Sequence, residues 1–176
     1  LSTGIGGDNI DIVLNELNLL ANADFKSRQW KPQRKSLNIV RLGTSGTVRP
    51  DIEIDQIVVS EKAVGLDGLA WYYPNEKNQP ASHFIQSTSW PEQRSIPYLS
   101  DADQTLLSLA PAHFHRGTTL TASGFYRPQG RFLNGQQDPS LSWESLQKAG
   151  IFNIEMETAA IYLLSEYFSF SALSIS

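Results

Sequence analysis

The 176-residue sequence predicts an α/β fold in which helices cover a central β-sheet, and three observations predict it. Short apolar runs at 37–42, at 116–122 and from Phe170 onward have the length of strands. Stretches with apolar residues at helical spacing lie among them, and no internal repeat breaks the alternation. In sheets of this kind ligands bind beyond the C-terminal ends of the strands, so the loops that leave strands are where function is to be sought.

The elements follow in order. Ser2-Thr3-Gly4-Ile5-Gly6-Gly7-Asp8 is a glycine loop, after which Ile10, Val13, Leu14, Leu17 and Leu20 recur at helical spacing. This predicts a helix over about 9–21, with Asp8 as N-cap and Asp11 favouring the positive end of its dipole. Residues 22–36 carry Lys26, Arg28, Lys31, Arg34 and Lys35 and read as an exposed connection. Leu37 to Leu42 reads as a buried strand opening into Gly43-Thr44-Ser45-Gly46. Ile52, Ile54, Ile57, Val58 and Val59 suggest further strand with a turn at Asp55-Gln56. Residues 65–100, rich in Gly, Pro, Asn, Ser and aromatics, read as long loops ordered in part by Trp71, Tyr72, Tyr73, Phe84 and Trp90. A helix packed through Leu106, Leu107 and Leu109 spans 101–110, a strand spans 116–122, and a loop spans 123–138. A helix over 142–149 closed by Gly150, a helix over about 156–167 and a final strand complete the order.

Composition bounds the class. Eighteen acidic against 14 basic side chains give a formal net charge of −4, with 40% hydrophobic positions and no cysteine. These figures fit one soluble acidic domain over 1–176, since domains commonly run to about 100–200 residues. Phosphate-backbone binding shows as clustered excess Lys and Arg, so nucleic acid is not an expected partner. Absence of cysteine excludes disulfides, thiolate nucleophiles and Cys-type zinc sites. No run reaches the ~18–20 apolar residues of a membrane helix, and Leu1 onward lacks a signal pattern, so no membrane partner and a cytoplasmic location are expected. Because Met156 is the only methionine, residue 1 is not an initiator, and Ser171 to Ser176 reads as a buried strand, not a polar tail. The domain is therefore expected to be incomplete at both termini.

Four segments carry candidate chemistry. In Arg41-Leu42-Gly43-Thr44-Ser45-Gly46 a cation ends a strand and two hydroxyls sit among glycines, donors suited to phosphate oxygens; the competing reading is a tight turn. Gly4-Ile5-Gly6-Gly7 stands at a helix start, where free backbone N–H groups bind anions, or where the chain simply turns. It has neither dinucleotide nor P-loop spacing. Phe125-Tyr126-Arg127-Pro128-Gln129-Gly130-Arg131 offers an aromatic face, an amide and a guanidinium to a planar heterocycle, or is a surface loop with solvated arginines. In Asn153-Ile154-Glu155-Met156-Glu157-Thr158 two carboxylates lie two apart: they point the same way if extended and diverge by about 200° on a helix. They suit vicinal sugar hydroxyls, or act as helix-start acids. His113 and His115 lack an evident third ligand, so no metal site is expected.

By these residues and their order the sequence resembles the nucleoside phosphorylase superfamily, and more closely its uridine phosphorylase branch. The resemblance implies a three-layer αβα fold with a central mixed β-sheet flanked by helices, and reversible phosphorolysis of uridine to uracil and ribose 1-phosphate. It implies that Gly4, Arg41 and Thr44 bind phosphate, that Ser45, Gly46, Phe125, Gln129 and Arg131 bind the base, and that Glu155, Met156 and Glu157 bind ribose. Arg41, Arg131 and Glu157 are the implied catalytic residues. Inorganic phosphate is a co-substrate, with no other cofactor beyond a monovalent cation allowed near Ile5, and the implied assembly is a hexamer of dimers with shared active sites. The pattern differs in three places: an early glycine and arginine would lie upstream of Leu1, further site residues would follow Ser176, and the basic stretch at 22–36 is long. A purine nucleoside phosphorylase, a hydrolytic nucleosidase of the same fold and a non-catalytic nucleoside-binding relative are the alternatives. The Gln129 and Arg131 pair favours a pyrimidine over a purine, and Arg41 favours phosphate over water.

Overall fold

The computed structural model describes residues 1–74, 79–133, 135 and 137–176. Helix α1 (Gly7–Asn22) leads into a hairpin of β1 (Ala23–Asp24) and β2 (Gln29–Trp30). Strands β3 (Asn38–Leu42), β4 (Gly46–Thr47), β5 (Val58–Gly65) and β6 (Gln79–Pro80) precede helix α2 (Ser82–Thr88). Then come β7 (Tyr98–Asp101), α3 (Gln104–Leu109), β8 (His115–Thr121), α4 (Trp143–Lys148), β9 (Ile151–Glu155), α5 (Thr158–Tyr167) and β10 (Ser171–Ile175).

Eight strands form one mixed sheet. Its order is β3-β10-β5-β8-β9-β4, and β7, which carries β6, adds to the far part of β5's β10 side. The pairs β3/β10, β5/β8 and β8/β9 are parallel, whereas β5/β10, β5/β7 and β4/β9 are antiparallel. Side chains of β5 leave alternately from its two faces. Val59 and Ala63 join a core built with α1, α3 and α5, while Val64 and Leu66 join a second core with α2 and α4. Helices therefore cover both faces of the sheet, giving the three layers expected. Helix α5 is buried from Thr158 to Ser165, because it lies against both the sheet and α1, and its sequence is accordingly apolar all round.

Several elements depart from the sequence-based expectation for identifiable reasons. The apolar run Leu37 to Leu42 predicts a buried strand, but β3 is a sheet edge with Val40 and Leu42 exposed. The expected strand over 52–59 begins only at Val58. Before it the chain turns, with Asp55 in the left-handed region (φ 70°) and Ile54 in solvent. The basic stretch is exposed as expected, yet Asp24 folds it into a hairpin by accepting hydrogen bonds from the Lys26 N–H and the Ser27 hydroxyl. The region 65–100 is not all loop, since Phe84 is buried on α2 and β7 joins the sheet; Trp71 and Tyr72 lie in solvent. Asp103 caps α3 by accepting from the Leu106 N–H, so that helix starts late and leaves Leu109 exposed. Gly6, not Asp8, is the N-cap of α1. Residues 75–78, 134 and 136, which fall in the expected loops at 65–100 and 123–138, lie outside the described residues.

Candidate active site

The eleven residues to which the resemblance assigns a role all line one open cavity of about 710 Å³. The parallel register of β3 and β10 sets Arg41 opposite Ser174. The Arg41 side chain then leaves the edge strand toward β9 and α5, where Glu155 ends the strand and Glu157 precedes the helix. Arg41 Nη2 lies 2.8 Å from Glu157 Oε2 and 3.2 Å from Glu155 Oε2, and Nη1 donates to the Ser176 hydroxyl at 2.9 Å. Gly43 is what lets the guanidinium lie there, since a Cβ at that position would stand 2.5 Å from Arg41 Cζ.

The two carboxylates have different surroundings. Glu155 accepts from the Glu157 and Thr158 N–H groups and from the Thr121 hydroxyl, so it caps the buried start of α5. Burial pushes its carboxyl above the usual value, opposed by the charge of Arg41 and by these donors. Glu157 accepts from Arg41 on one oxygen and from the Gly6 N–H, at 2.7 Å, on the other. Of the two geometries the sequence left open, the extended one is the nearer, since both carboxylates reach Arg41 Nη2 from residues 155–157, which bridge the end of β9 and the start of α5. The same contact gives the glycine loop a structural role, in which the Gly6 amide is engaged by Glu157 while Gly4, at φ 76°, faces the cavity. Met156 is half-buried on the wall between them.

The loop 125–131 contributes Phe125, Gln129 and Arg131 to the cavity wall. A 3₁₀ turn at Arg127–Gln129 buries Gln129, and the Arg131 guanidinium stacks over the Phe125 ring at 4.2 Å from its centroid. Arg131 Nη2 also lies close to Gly46, where a Cβ would be 3.4 Å away. Phe125 is half-exposed and Thr44 exposed, so both present themselves to a ligand. A cation, two acids and an aromatic-amide-guanidinium loop thus converge from motifs scattered over the chain.

Across residues 1–176 the sequence matches the profile of the Phosphorylase superfamily. The chain belongs to the Phosphorylase superfamily. A uridine phosphorylase of Thermococcus kodakarensis is 28% identical over 97% of this chain and 53% of its own length. A DeoD-type purine nucleoside phosphorylase of Listeria monocytogenes is 26% identical over 99% of the chain and 60% of its own length. The chain therefore spans about half the length of the curated relatives it matches. Among solved structures, a Trypanosoma brucei nucleoside phosphorylase described as showing uridine phosphorylase activity superposes with a TM-score of 0.79. It is 28% identical, covering 99% of this chain and 68% of that one.

The cavity is also supported by residues to which the motifs assign no role. Thr121 and Ser174 support Glu155 and Arg41 from neighbouring strands, and Asn153 donates to the Ser45 hydroxyl. The signal for them in the sequence is polar residues two apart within apolar strands, Thr119 with Thr121 and Asn153 with Glu155. No helix among the described residues is long and apolar enough to cross a membrane.

Proposed function

We propose that this chain is the core of a nucleoside phosphorylase that cleaves uridine with inorganic phosphate, giving uracil and ribose 1-phosphate. The observation that carries the proposal is the convergence, in one cavity, of a guanidinium flanked by carboxylates and a stacked phenylalanine-arginine wall beside a buried glutamine. The uridine phosphorylases among its relatives support the base assignment.

In this mechanism Arg41 and Thr44 hold phosphate against the anomeric carbon. The N-glycosidic bond breaks as positive charge develops on the ribose and negative charge on the base, and a phosphate oxygen forms the new bond to that carbon. Arg131 and Gln129 are donors already in place for the charge that develops on uracil, which returns as neutral uracil after taking a proton. Glu157 keeps lone pairs for the ribose hydroxyls while Arg41 and the Gly6 N–H fix its orientation, and orientation lowers the barrier by holding the sugar in line with phosphate. Glu155, spent on α5 and Arg41, acts by holding Arg41. The reaction as written calls for no redox cofactor or metal, with a monovalent cation near Ile5 as an accessory. The proposal includes a cytoplasmic enzyme assembled as a hexamer of dimers whose neighbouring subunits complete each site.

The deciding experiment is uridine cleavage followed with and without phosphate, alongside inosine as a purine substrate. Uracil release that depends on phosphate, with ribose 1-phosphate formed, is the expected result. Equal cleavage in phosphate-free buffer identifies a hydrolase, and preference for inosine identifies a purine enzyme.

A further inference from the structure

Beneath the cavity a buried line of polar side chains crosses three adjacent strands. Ser60 on β5, Thr119 on β8 and Asn153 on β9 are each fully inaccessible to solvent. The Ser60 and Thr119 hydroxyls are 2.5 Å apart, Thr119 Oγ1 donates to Asn153 Oδ1 at 2.7 Å, and Asn153 Nδ2 donates to Ser45 Oγ at 2.8 Å. The direction of each bond follows from the next. A carboxamide oxygen only accepts, so the Thr119 proton is spent on Asn153 and Ser60 must supply the proton between the two hydroxyls. The amide is thereby turned with its nitrogen toward Ser45. Ser45 Oγ, receiving a proton from Asn153, is left with its own hydroxyl proton to offer, and Ser45 lines the cavity beside Gly46 and Arg131.

We propose that Asn153, oriented by Thr119, is a positioning residue that holds the Ser45 hydroxyl as a hydrogen-bond donor into the cavity, so that this wall takes a carbonyl oxygen of the base. The inference rests on the nucleoside phosphorylase reading and deepens it. Buried polar groups in a core are costly unless every one is paired, and this line is paired throughout, terminating at a residue that faces ligand. Neither Thr119 nor Asn153 lines the cavity, so both act through Ser45.

The test uses the 176-residue chain. Asn153→Asp keeps the shape but removes the donor, so Ser45 turns to donate to the new carboxylate; the KM for uridine is expected to rise about tenfold, the worth of one hydrogen bond, with the KM for phosphate unchanged. Thr119→Val frees the amide and moves uridine KM the same way, whereas Thr119→Ser, which keeps the hydroxyl, restores the native value. In a Ser45→Ala background neither change has a further effect. Wild-type uridine KM in Asn153→Asp overturns the proposal, because it means the amide points the other way. A Thr119→Val loss that persists undiminished in Ser45→Ala also overturns it, because the line is then packing alone. Should the 176-residue chain turn over no uridine, the pin is read in the ligand-free chain instead. The Asn153 side-chain amide proton signals are expected to shift in both Ser45→Ala and Thr119→Val, and unchanged signals refute the pin.

Discussion

Replacing Arg41 with methionine keeps an unbranched side chain of similar length and removes the charge shared by two carboxylates. Their side chains are only 2% (Glu155) and 10% (Glu157) exposed, so water replaces little of what is lost. Removing one partner of a buried ion pair costs about 3–5 kcal/mol. The lower end applies here, since Glu155 keeps its bonds from the Glu157 and Thr158 N–H groups and from Thr121. For a chain of this size, a loss of about 3 kcal/mol lowers Tm by roughly 6–12 °C. The loss must also depend on pH. Burial raises the Glu155 carboxyl above its unfolded value, and the charge of Arg41 is the largest influence holding it down. A raised carboxyl favours folding fully below its unfolded value and loses that contribution as pH rises through the folded value. Arg41→Met raises the folded value further, so its deficit is largest at the alkaline end and shrinks as pH falls. Thermal unfolding by circular dichroism at pH 5, 6, 7 and 8 reads this directly, and Glu155→Gln in the same background should flatten the profile. A deficit that is constant with pH, or that widens on acidification, refutes the argument.

Three further outcomes are expected. Gly43→Ala places a methyl against the Arg41 guanidinium and pushes it off Glu157, so phosphate KM should rise by about tenfold or more, the worth of a charge-assisted bond, while an unchanged phosphate KM would show that Arg41 does not hold phosphate. Arg131→Ala should cut uridine turnover by about 10²-fold, with far less effect on phosphate affinity, in steady-state assays that vary each substrate; an unaltered rate removes Arg131 from the base site. Leu164→Ala, at a fully buried position on α5, should cost about 2–5 kcal/mol in denaturant unfolding, whereas Leu109→Ala, at a residue 75% exposed, should stay within about 0.5 kcal/mol; similar losses at both would contradict the packing.

Much of the molecule is legible along the chain because it is local. Spacing of apolar residues marks α1 and α5, turn residues mark Asp55 and Gly150, and each of the four chemical motifs is four to seven residues long. What the chain does not reveal is whatever depends on a neighbour. Leu37 to Leu42 is as apolar as an interior strand, and only its place at the edge of the sheet exposes Val40 and Leu42. Asp8 is a good cap by type, yet the α1 boundary falls at Gly6, whose amide meets Glu157.

By itself the sequence determined the alternation of strands and helices and the presence of a cation, two acids and an aromatic-amide-arginine loop. Only the tertiary structure decided how the two acids divide their work. Glu155 and Glu157 are alike in type and two residues apart, but one is turned into the start of α5 and the other toward Arg41 and Gly6, partners 116 and 151 residues away in the chain. Hydrogen-bond partners at such distances are chosen by the packing of α5 against the sheet and α1, and no local pattern encodes that choice.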